Sequence, residues 1–218
     1  MDWEKLGPLL WQAFRETLYM TSATLVIGGL LGLVLGITLY VTRPGNLLPN
    51  QAVSTGLNVL VNTIRPIPFI IWVTAIQPVA IAISGKSYGT NYAIVAMALM
   101  ATFGTSRIVE QNLVALDPGV VEAARAMGAG PLRIILTVVI PEALGPLILG
   151  YTFLFVAIVD MSAVVGVING GGLGQFALTY GYQQYDYAVT WVAVAVIVAI
   201  VQLAQLLGNS LARRVMRR

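Results

Sequence analysis

The sequence predicts an all-α integral membrane protein with five membrane-spanning helices, and three observations support this fold class. First, 58% of the 218 residues are hydrophobic, only 10% are charged and the mean hydropathy is +0.84, whereas about 25% of the residues in a soluble domain are charged. Second, five apolar stretches approach the roughly 20 residues that a spanning helix needs. Third, lysine and arginine concentrate in alternate loops. We therefore expect one transmembrane domain over residues 1–218, without a separate soluble domain.

The predicted spans follow the apolar runs in chain order. They cover about residues 18–41, 57–83, 93–103, 144–168 and 187–207. Arg65-Pro66-Ile67-Pro68 interrupts the second span, because two prolines must disturb a helix there, and the interruption is either a structural kink or a gate hinge. The third span has a short apolar core that could extend at both ends, and this short core leaves a four-span alternative open. Gly28, Gly32 and Gly36 predict close helix packing in the first span, within one protomer or between two copies.

The distribution of basic residues predicts the orientation. If the N-terminus is outside, eight of the 12 lysine and arginine residues fall in cytoplasmic segments and three fall outside. The cytoplasmic set is Arg43, Arg107, Arg125, Arg133, Arg213, Arg214, Arg217 and Arg218. Cytoplasmic loops carry an excess of such residues, so we expect an external N-terminus and a cytoplasmic C-terminus in a bacterial inner membrane. The net charge of +3 is explained by this orientation, and we expect no nucleic-acid partner.

Composition also excludes several kinds of chemistry. The chain has no cysteine and no histidine, which rules out disulfides, thiol nucleophiles and histidine acid–base catalysis. Gly85-Lys86-Ser87 resembles the end of a phosphate loop, but the glycine that such a loop needs five positions earlier is Ala80. We therefore expect a non-catalytic chain that binds no metal or cofactor and takes its energy from another protein.

A charged segment at about residues 117–142 is predicted to form two short helices on the cytoplasmic side. Asp117 is a good N-cap and Pro118 suits the first helical turn. Gly128 is a natural helix stop. Pro131 begins a second helix, which Pro141 is expected to interrupt. The result is a rigid projection of the kind that transmits a displacement.

Small side chains on this projection are expected to admit a soluble partner. Ala123, Ala124, Ala126 and Ala129 predict a low-relief surface, and Glu122 adds one carboxylate for a basic group or an N–H of the partner.

At these residues the chain resembles the permease subunits of bacterial ABC importers. Their cytoplasmic signature is E-A-A, three residues, G, nine residues and I-x-L-P; Glu122, Ala123, Ala124, Gly128 and Pro141 match it, with Val138 and Ile140 as apolar replacements. Wider similarity covers nearly the whole chain. Leu39–Gly45, Arg65–Ile71 and Gly171–Gln175 resemble methionine importer permeases in particular.

The resemblance implies a homodimeric permease of the type I ABC importer fold. Two copies of a cytoplasmic ABC ATPase would bind ATP and Mg²⁺ and drive it, and a periplasmic or lipid-anchored substrate-binding protein would deliver methionine. The implied coupling residues are Glu122, Ala123, Ala124, Arg125, Met127, Gly128 and Pro141. A permease for another amino acid, choline or phosphonate, and an ion-coupled secondary carrier, remain alternatives.

Asp160 is the ionisable residue that stands out in the fourth span. A carboxylate at the bilayer centre costs roughly 2.5–3.5 kcal/mol on insertion scales, so it should face water, a partner group or a pathway. Asp160, Met161 and Ser162 are therefore predicted to line the translocation path, although a structural role for Asp160, paired with Arg65 or capping a broken helix, is the alternative. Gly171, Gly172 and Gly174 lie in a cluster that should not form regular helix, and this cluster is predicted to be a plain turn or an external gate or docking loop.

Overall fold

The computed structural model describes residues 3–216, and within them the fold is entirely helical. Arg217 and Arg218 of the predicted basic C-terminus lie outside the described residues. The α-helices are α1 Trp3–Val41, α2 Gln51–Ile64, α3 Phe69–Ala75, α4 Gln77–Ser84, α5 Thr90–Val114, α6 Pro118–Ala126, α7 Pro131–Ile134, α8 Ile140–Val165, α9 Gly172–Phe176 and α10 Tyr187–Met216. Short π and 3₁₀ turns extend several of them.

Four helical segments are long and apolar enough to cross a membrane. They are α1, α5, the continuous segment Pro131–Ile168 and α10. A fifth span is present if α2 and α3 are counted together, although they are bent by 106° at the break between them. The bend lies where Arg65-Pro66-Ile67-Pro68 was predicted to interrupt a span. The third predicted span extends at both ends, because α5 is a full helix of 25 residues.

Helices α1, α5 and α8 form the centre of the bundle, and α10 packs against α8. Glycines bring α1 and α5 together: a Cβ added to Gly28 would lie 2.8 Å from the Cβ of Ala101, and one added to Gly36 would lie 2.6 Å from the carbonyl oxygen of Ser106. The glycine series therefore serves packing within one protomer. The order of these contacts shows that α1 and α5 run in the same direction.

The α3 helix is fixed to α5 by two side-chain hydrogen bonds. Trp72 Nε1 donates to the carbonyl oxygen of Ala96 at 3.0 Å, and the Tyr92 hydroxyl donates to that of Val73 at 2.9 Å. Both bonds lie inside an apolar cluster that includes Met20 of α1 and Ile158 of α8. The second half of the broken span is thus anchored to the bundle.

Three local predictions need correction. Arg107 lies within α5 rather than in a loop. Pro141 does not interrupt the helix: residues Ile135–Val139 form a π turn, in which the N–H of Ile140 bonds to Ile135, and the helix continues to Val165. A proline removes one N–H and crowds the preceding turn, and the wider π turn accommodates it. Gly172–Phe176 is one helical turn rather than irregular chain.

Candidate functional site: the α6 segment and the polar contacts around it

The α6 helix has the local structure that its sequence predicts. Asp117 is the N-cap, and its Oδ1 accepts a hydrogen bond from the N–H of Gly119 at 2.9 Å. Gly128 ends the turn with φ +79°, in the left-handed region that favours glycine. The N–H of Gly128 bonds to the carbonyl oxygen of Arg125 at 2.9 Å, and that of Ala129 bonds to Ala124 at 3.2 Å. These bonds close the turn between α6 and α7.

One face of α6 is buried and holds the helix on the bundle. Val121 and Ala124 pack in an apolar cluster with residues of α1, α5 and the π turn, among them Tyr40, Leu113 and Val139. Ala124 is only 3% exposed. Its small side chain therefore allows the helix to lie close to the bundle, and it is not part of the outer surface.

The opposite face of α6 is open. Glu122, Ala123, Arg125 and Ala126 are exposed, and Met127 is 81% exposed. Arg125 lies in the last turn, where a cation interacts favourably with the helix dipole. The exposed face thus combines two charges, two small side chains and a flexible apolar one. The buried side chains on the opposite face hold the helix on the bundle.

A cavity of about 230 Å³ borders this face. Its wall is formed by the turn after α1, including Arg43 and Pro44, and by Glu122 and Arg125 of α6. Pro141 is exposed at the first turn of α8. The predicted coupling residues therefore lie on one end of the bundle, with Ala124 turned inward and the others at the surface.

The three predicted pathway residues do not share one face of α8. Asp160 is exposed, and it has neither an ion pair nor a hydrogen bond with any residue between 3 and 216. It shares the exposed face with Phe153, which is 70% exposed. Ser162 is 3% exposed, and its hydroxyl donates to the carbonyl oxygen of Val159 at 2.6 Å. Met161 is half-buried against the apolar cluster around Ile158.

The glycine cluster at the other end of the bundle is held by α1. Glu16 Oε2 accepts a hydrogen bond from the N–H of Gly172 at 2.8 Å, and the Thr17 hydroxyl accepts one from the N–H of Leu173 at 2.8 Å. Gly171 and Gly172 have φ values of +89° and +79°. This loop borders a polar cavity of about 360 Å³. Glu16 lies 25 residues before Val41, where α1 ends near α6. At the rise of an α-helix this separation is about 37 Å.

A network of polar side chains near α6 was missed by the sequence reasoning. Arg107 of α5 donates to the side-chain oxygens of Asn58 and Asn62 of α2, both at 2.7 Å, and it pairs with Glu110. Glu110 also faces Arg43, at 3.7 Å. The available signal was the spacing of the asparagines, four residues apart in an apolar run, which places both on one side of a helix.

The chain matches proteins of one transport family over most of its length. The model of the binding-protein-dependent transport system inner membrane component matches residues 28–218. A probable D-methionine transport system permease protein, MetI, from Vibrio cholerae is 39% identical over 207 residues, which are 95% of this chain and 92% of that protein. The methionine import system permease protein MetP of Bacillus subtilis is 37% identical over 200 residues, 92% and 90% of the two chains.

Solved structures agree with this assignment. A chain from inward-facing conformations of the MetNI methionine ABC transporter has a TM-score of 0.95 and 37% identity, with 97% of this chain and 98% of that chain covered. A chain of an amino acid ABC transporter has a TM-score of 0.79 at 21% identity, covering 96% and 95%, and supports the fold alone. The chain belongs to the family of binding-protein-dependent transport system inner membrane components.

Proposed function

We propose that this chain is the permease subunit of an ATP-driven methionine importer in a bacterial inner membrane, and that it works as a homodimer. The observation that carries the proposal is α6, a helix fixed on its buried side and open on the other. Relatives named as methionine permeases, similar over more than nine tenths of the chain, support the substrate. The N-terminus would be outside and the C-terminus cytoplasmic, because basic residues are concentrated on the α6 side.

In this proposal α6 is the coupling helix that docks on a cytoplasmic ABC ATPase. Glu122, Ala123, Arg125 and Met127 would contact the ATPase, since they form the open face. Ala124, Gly128 and Pro141 would keep the helix, its turn and the return to the membrane in place. ATP and Mg²⁺ would be bound by the two ATPase copies, and this chain would perform no catalysis.

Asp160 would face a translocation path formed between two copies of the chain. An exposed carboxylate in a membrane-spanning helix is costly in lipid, by roughly 2.5–3.5 kcal/mol on insertion scales. A second copy that covers this face of α8 would give the carboxylate water and polar neighbours. Met161 would border the path beside it, and Ser162, bonded to Val159, would support the helix from behind.

The two irregular segments would act as gates at opposite ends of the path. Arg65, Pro66 and Pro68 form the bend between α2 and α3, which would move with the cytoplasmic gate. Gly171, Gly172 and Gly174 lie in the loop held by Glu16, which would close the outer side or contact a substrate-binding protein that is periplasmic or lipid-anchored.

The test is ATP-dependent methionine uptake by vesicles that contain the chain together with candidate ATPases and a binding protein. We expect uptake in wild type, and we expect Glu122→Lys and Gly128→Pro to release the ATPase or to uncouple its hydrolysis. Glu4→Lys is the matched control, because it makes the same change at an exposed position far from α6. Uptake driven by an ion gradient without any ATPase would refute the proposal, and preference for another solute would refute its methionine part.

A further inference from the structure

The α2 helix is weakly packed against the protomer. Of its 14 residues only Ser54 and Val61 are buried, and its contacts with α1 and α5 are few compared with those between α1 and α5. Helices in a bilayer are held together by close packing and by hydrogen bonds between them. Since α2 has little packing on its own protomer, its position there depends on the hydrogen bonds that it makes.

Arg107 provides such bonds. Its Nη2 donates to Asn58 Oδ1 and to Asn62 Oδ1 at 2.7 Å each, and these acceptors are one helical turn apart on α2. The other arm of the guanidinium, Nη1, pairs with Glu110. The Arg107 side chain is only 13% exposed. A planar guanidinium with several fixed donors can engage all three groups together, which a lysine ammonium does less well.

The charge of Arg107 is balanced so that it can remain in this position. Glu110 is 8% exposed and has Arg107 on one oxygen and Arg43 at 3.7 Å from the other. A nearly buried carboxylate needs such partners. The two asparagines are neutral, so their hydrogen bonds to Arg107 leave the charge balance unchanged. The ion pairs of Glu110 with Arg107 and Arg43 form without any contribution from α2.

The same helix that carries Arg107 leads directly into α6. Only Ala115 and Leu116 separate the end of α5 from the Asp117 cap. Leu113 of α5 is buried in one apolar cluster with Val121 of α6. A displacement of α6 must therefore move the end of α5 with it, since well-packed contacts are not continuously deformable.

We propose that Arg107 is a positioning residue that makes α2 follow α5 and α6, so that an ATPase-driven displacement of α6 reaches the bend between α2 and α3. Without the bonds from Arg107, α6 and α5 still move, but α2 lags behind them. The proposal rests on the transport function proposed above. It adds the residue that connects the ATPase-facing helix to the broken span.

Two kinds of variant remove the link by different routes. Asn58→Leu with Asn62→Leu removes both acceptors on α2 and leaves the ion pairs of Glu110 intact. Arg107→Met removes the donors and keeps an unbranched side chain in place of the aliphatic stem. Arg107→Lys keeps the charge but not the fork, and Asn209→Leu is a control at an exposed asparagine on α10.

Two measurements on the complete transporter separate positioning from general stability. The first is methionine taken up per ATP hydrolysed. The second is the distance distribution between spin labels at Thr55 on α2 and Val114 on α5, both exposed positions. Because each hydrogen bond to a charged group contributes more than a neutral one, losing both should lower uptake per ATP by at least about tenfold. We expect this fall, with a broadened distance distribution, for the double asparagine variant and for Arg107→Met, while ATPase binding and hydrolysis persist.

Arg107→Lys keeps the positive charge. If uptake per ATP still falls in this variant, the planar donors of the guanidinium group, and not the charge alone, hold α2. An unchanged distance distribution in the double asparagine variant would overturn the inference, as would an unchanged uptake per ATP when the distribution broadens. If wild type shows no ATP-driven uptake, the proposed function fails, and the spin-label distances then still decide whether Arg107 holds α2.

Discussion

The seam between α1 and α5 gives a stability prediction that can be worked out from atomic contacts. Gly36 lies in the close contact between the two helices, and we predict that Gly36→Ala lowers the melting temperature of the purified protein. An added Cβ would lie 2.6 Å from the carbonyl oxygen of Ser106 and 2.6 Å from the Cβ of Val109. Ordinary contacts of a Cβ begin at 3.4 Å. The helices must therefore move apart by about 0.8 Å, because neither neighbour is the flexible end of a side chain.

The size of the effect follows from two opposing terms. Overpacking costs about 1–3 kcal/mol, and the upper end applies at Gly36 because a backbone atom is in the way. Alanine regains about 0.5–1 kcal/mol over glycine inside a helix. A net loss of about 2 kcal/mol should lower the melting temperature by roughly 4–8 °C in a chain of this size.

The matched control is Gly104→Ala, on α5. A Cβ at Gly104 meets nothing within 4 Å, so only the helix-propensity gain applies and the melting temperature should hold or rise. The assay is thermal unfolding in one detergent, followed by fluorescence-detected size-exclusion chromatography. If Gly36→Ala and Gly104→Ala melt at the same temperature, the close contact of the two helices does not limit stability and the reasoning is wrong.

Three further predictions concern the proposed path, the loop at Gly172 and the α6 helix. Asp160→Asn and Asp160→Ala should impair methionine uptake while the ATPase complex still assembles; normal transport by both would remove Asp160 from the path. Glu16→Leu should destabilise the loop at Gly172 by about 1.5–3 kcal/mol, because it removes a charged hydrogen-bond acceptor, whereas Glu16→Gln should cost less. We expect faster proteolysis of the loop in Glu16→Leu alone, and equal rates in both variants would contradict this prediction. Asp117→Ala should weaken α6 by about 1 kcal/mol, seen as faster amide exchange within α6 than in wild type, and unchanged exchange would show that the cap does not matter.

Local sequence signals predicted the shape of the segment around α6 well. Asp117, Pro118 and Gly128 act within a few residues of themselves, as cap, first-turn residue and left-handed stop. The same holds for the prolines that bend the second span. Such signals are visible in sequence because backbone geometry and hydrogen bonding at a helix end involve only neighbouring residues.

The path of the helix past Pro141 could not be predicted in this way. Proline in a helix interior usually interrupts it, and the sequence interpretation followed that rule. The helix instead accommodates Pro141 by forming a π turn over Ile135–Val139, immediately before it. Ile135 and Val139 are buried in the cluster that also contains residues of α6. Tertiary packing therefore selected a continuous helix over the break that proline alone favours.

The inward position of Ala124 shows a related limit. The sequence placed four alanines on one low-relief surface, but Ala123 and Ala126 are exposed whereas Ala124 is buried. A nine-residue helix has two faces, and alanine is compatible with both. Which face is buried depends on the apolar neighbours at Tyr40 and Leu113, which lie on other helices and are not indicated by the segment itself.

Arg107 was misplaced for a different reason, and that reason bears on the proposed mechanism. The proposed docking of α6 on a partner requires that the helix has its shape before the partner arrives, and the caps of α6 lie in its own sequence. A connection that transmits movement instead joins separate parts of the chain, here Arg107 with residues 49 and 45 positions away. Neither side of this connection is distinctive in the sequence: one is an arginine near the end of a span, and the other is two asparagines in an apolar run. Their pairing becomes visible only when the fold brings α2 and α5 together. For this reason the proposed docking segment can be recognised from sequence, whereas the residues proposed to carry its movement into the membrane cannot.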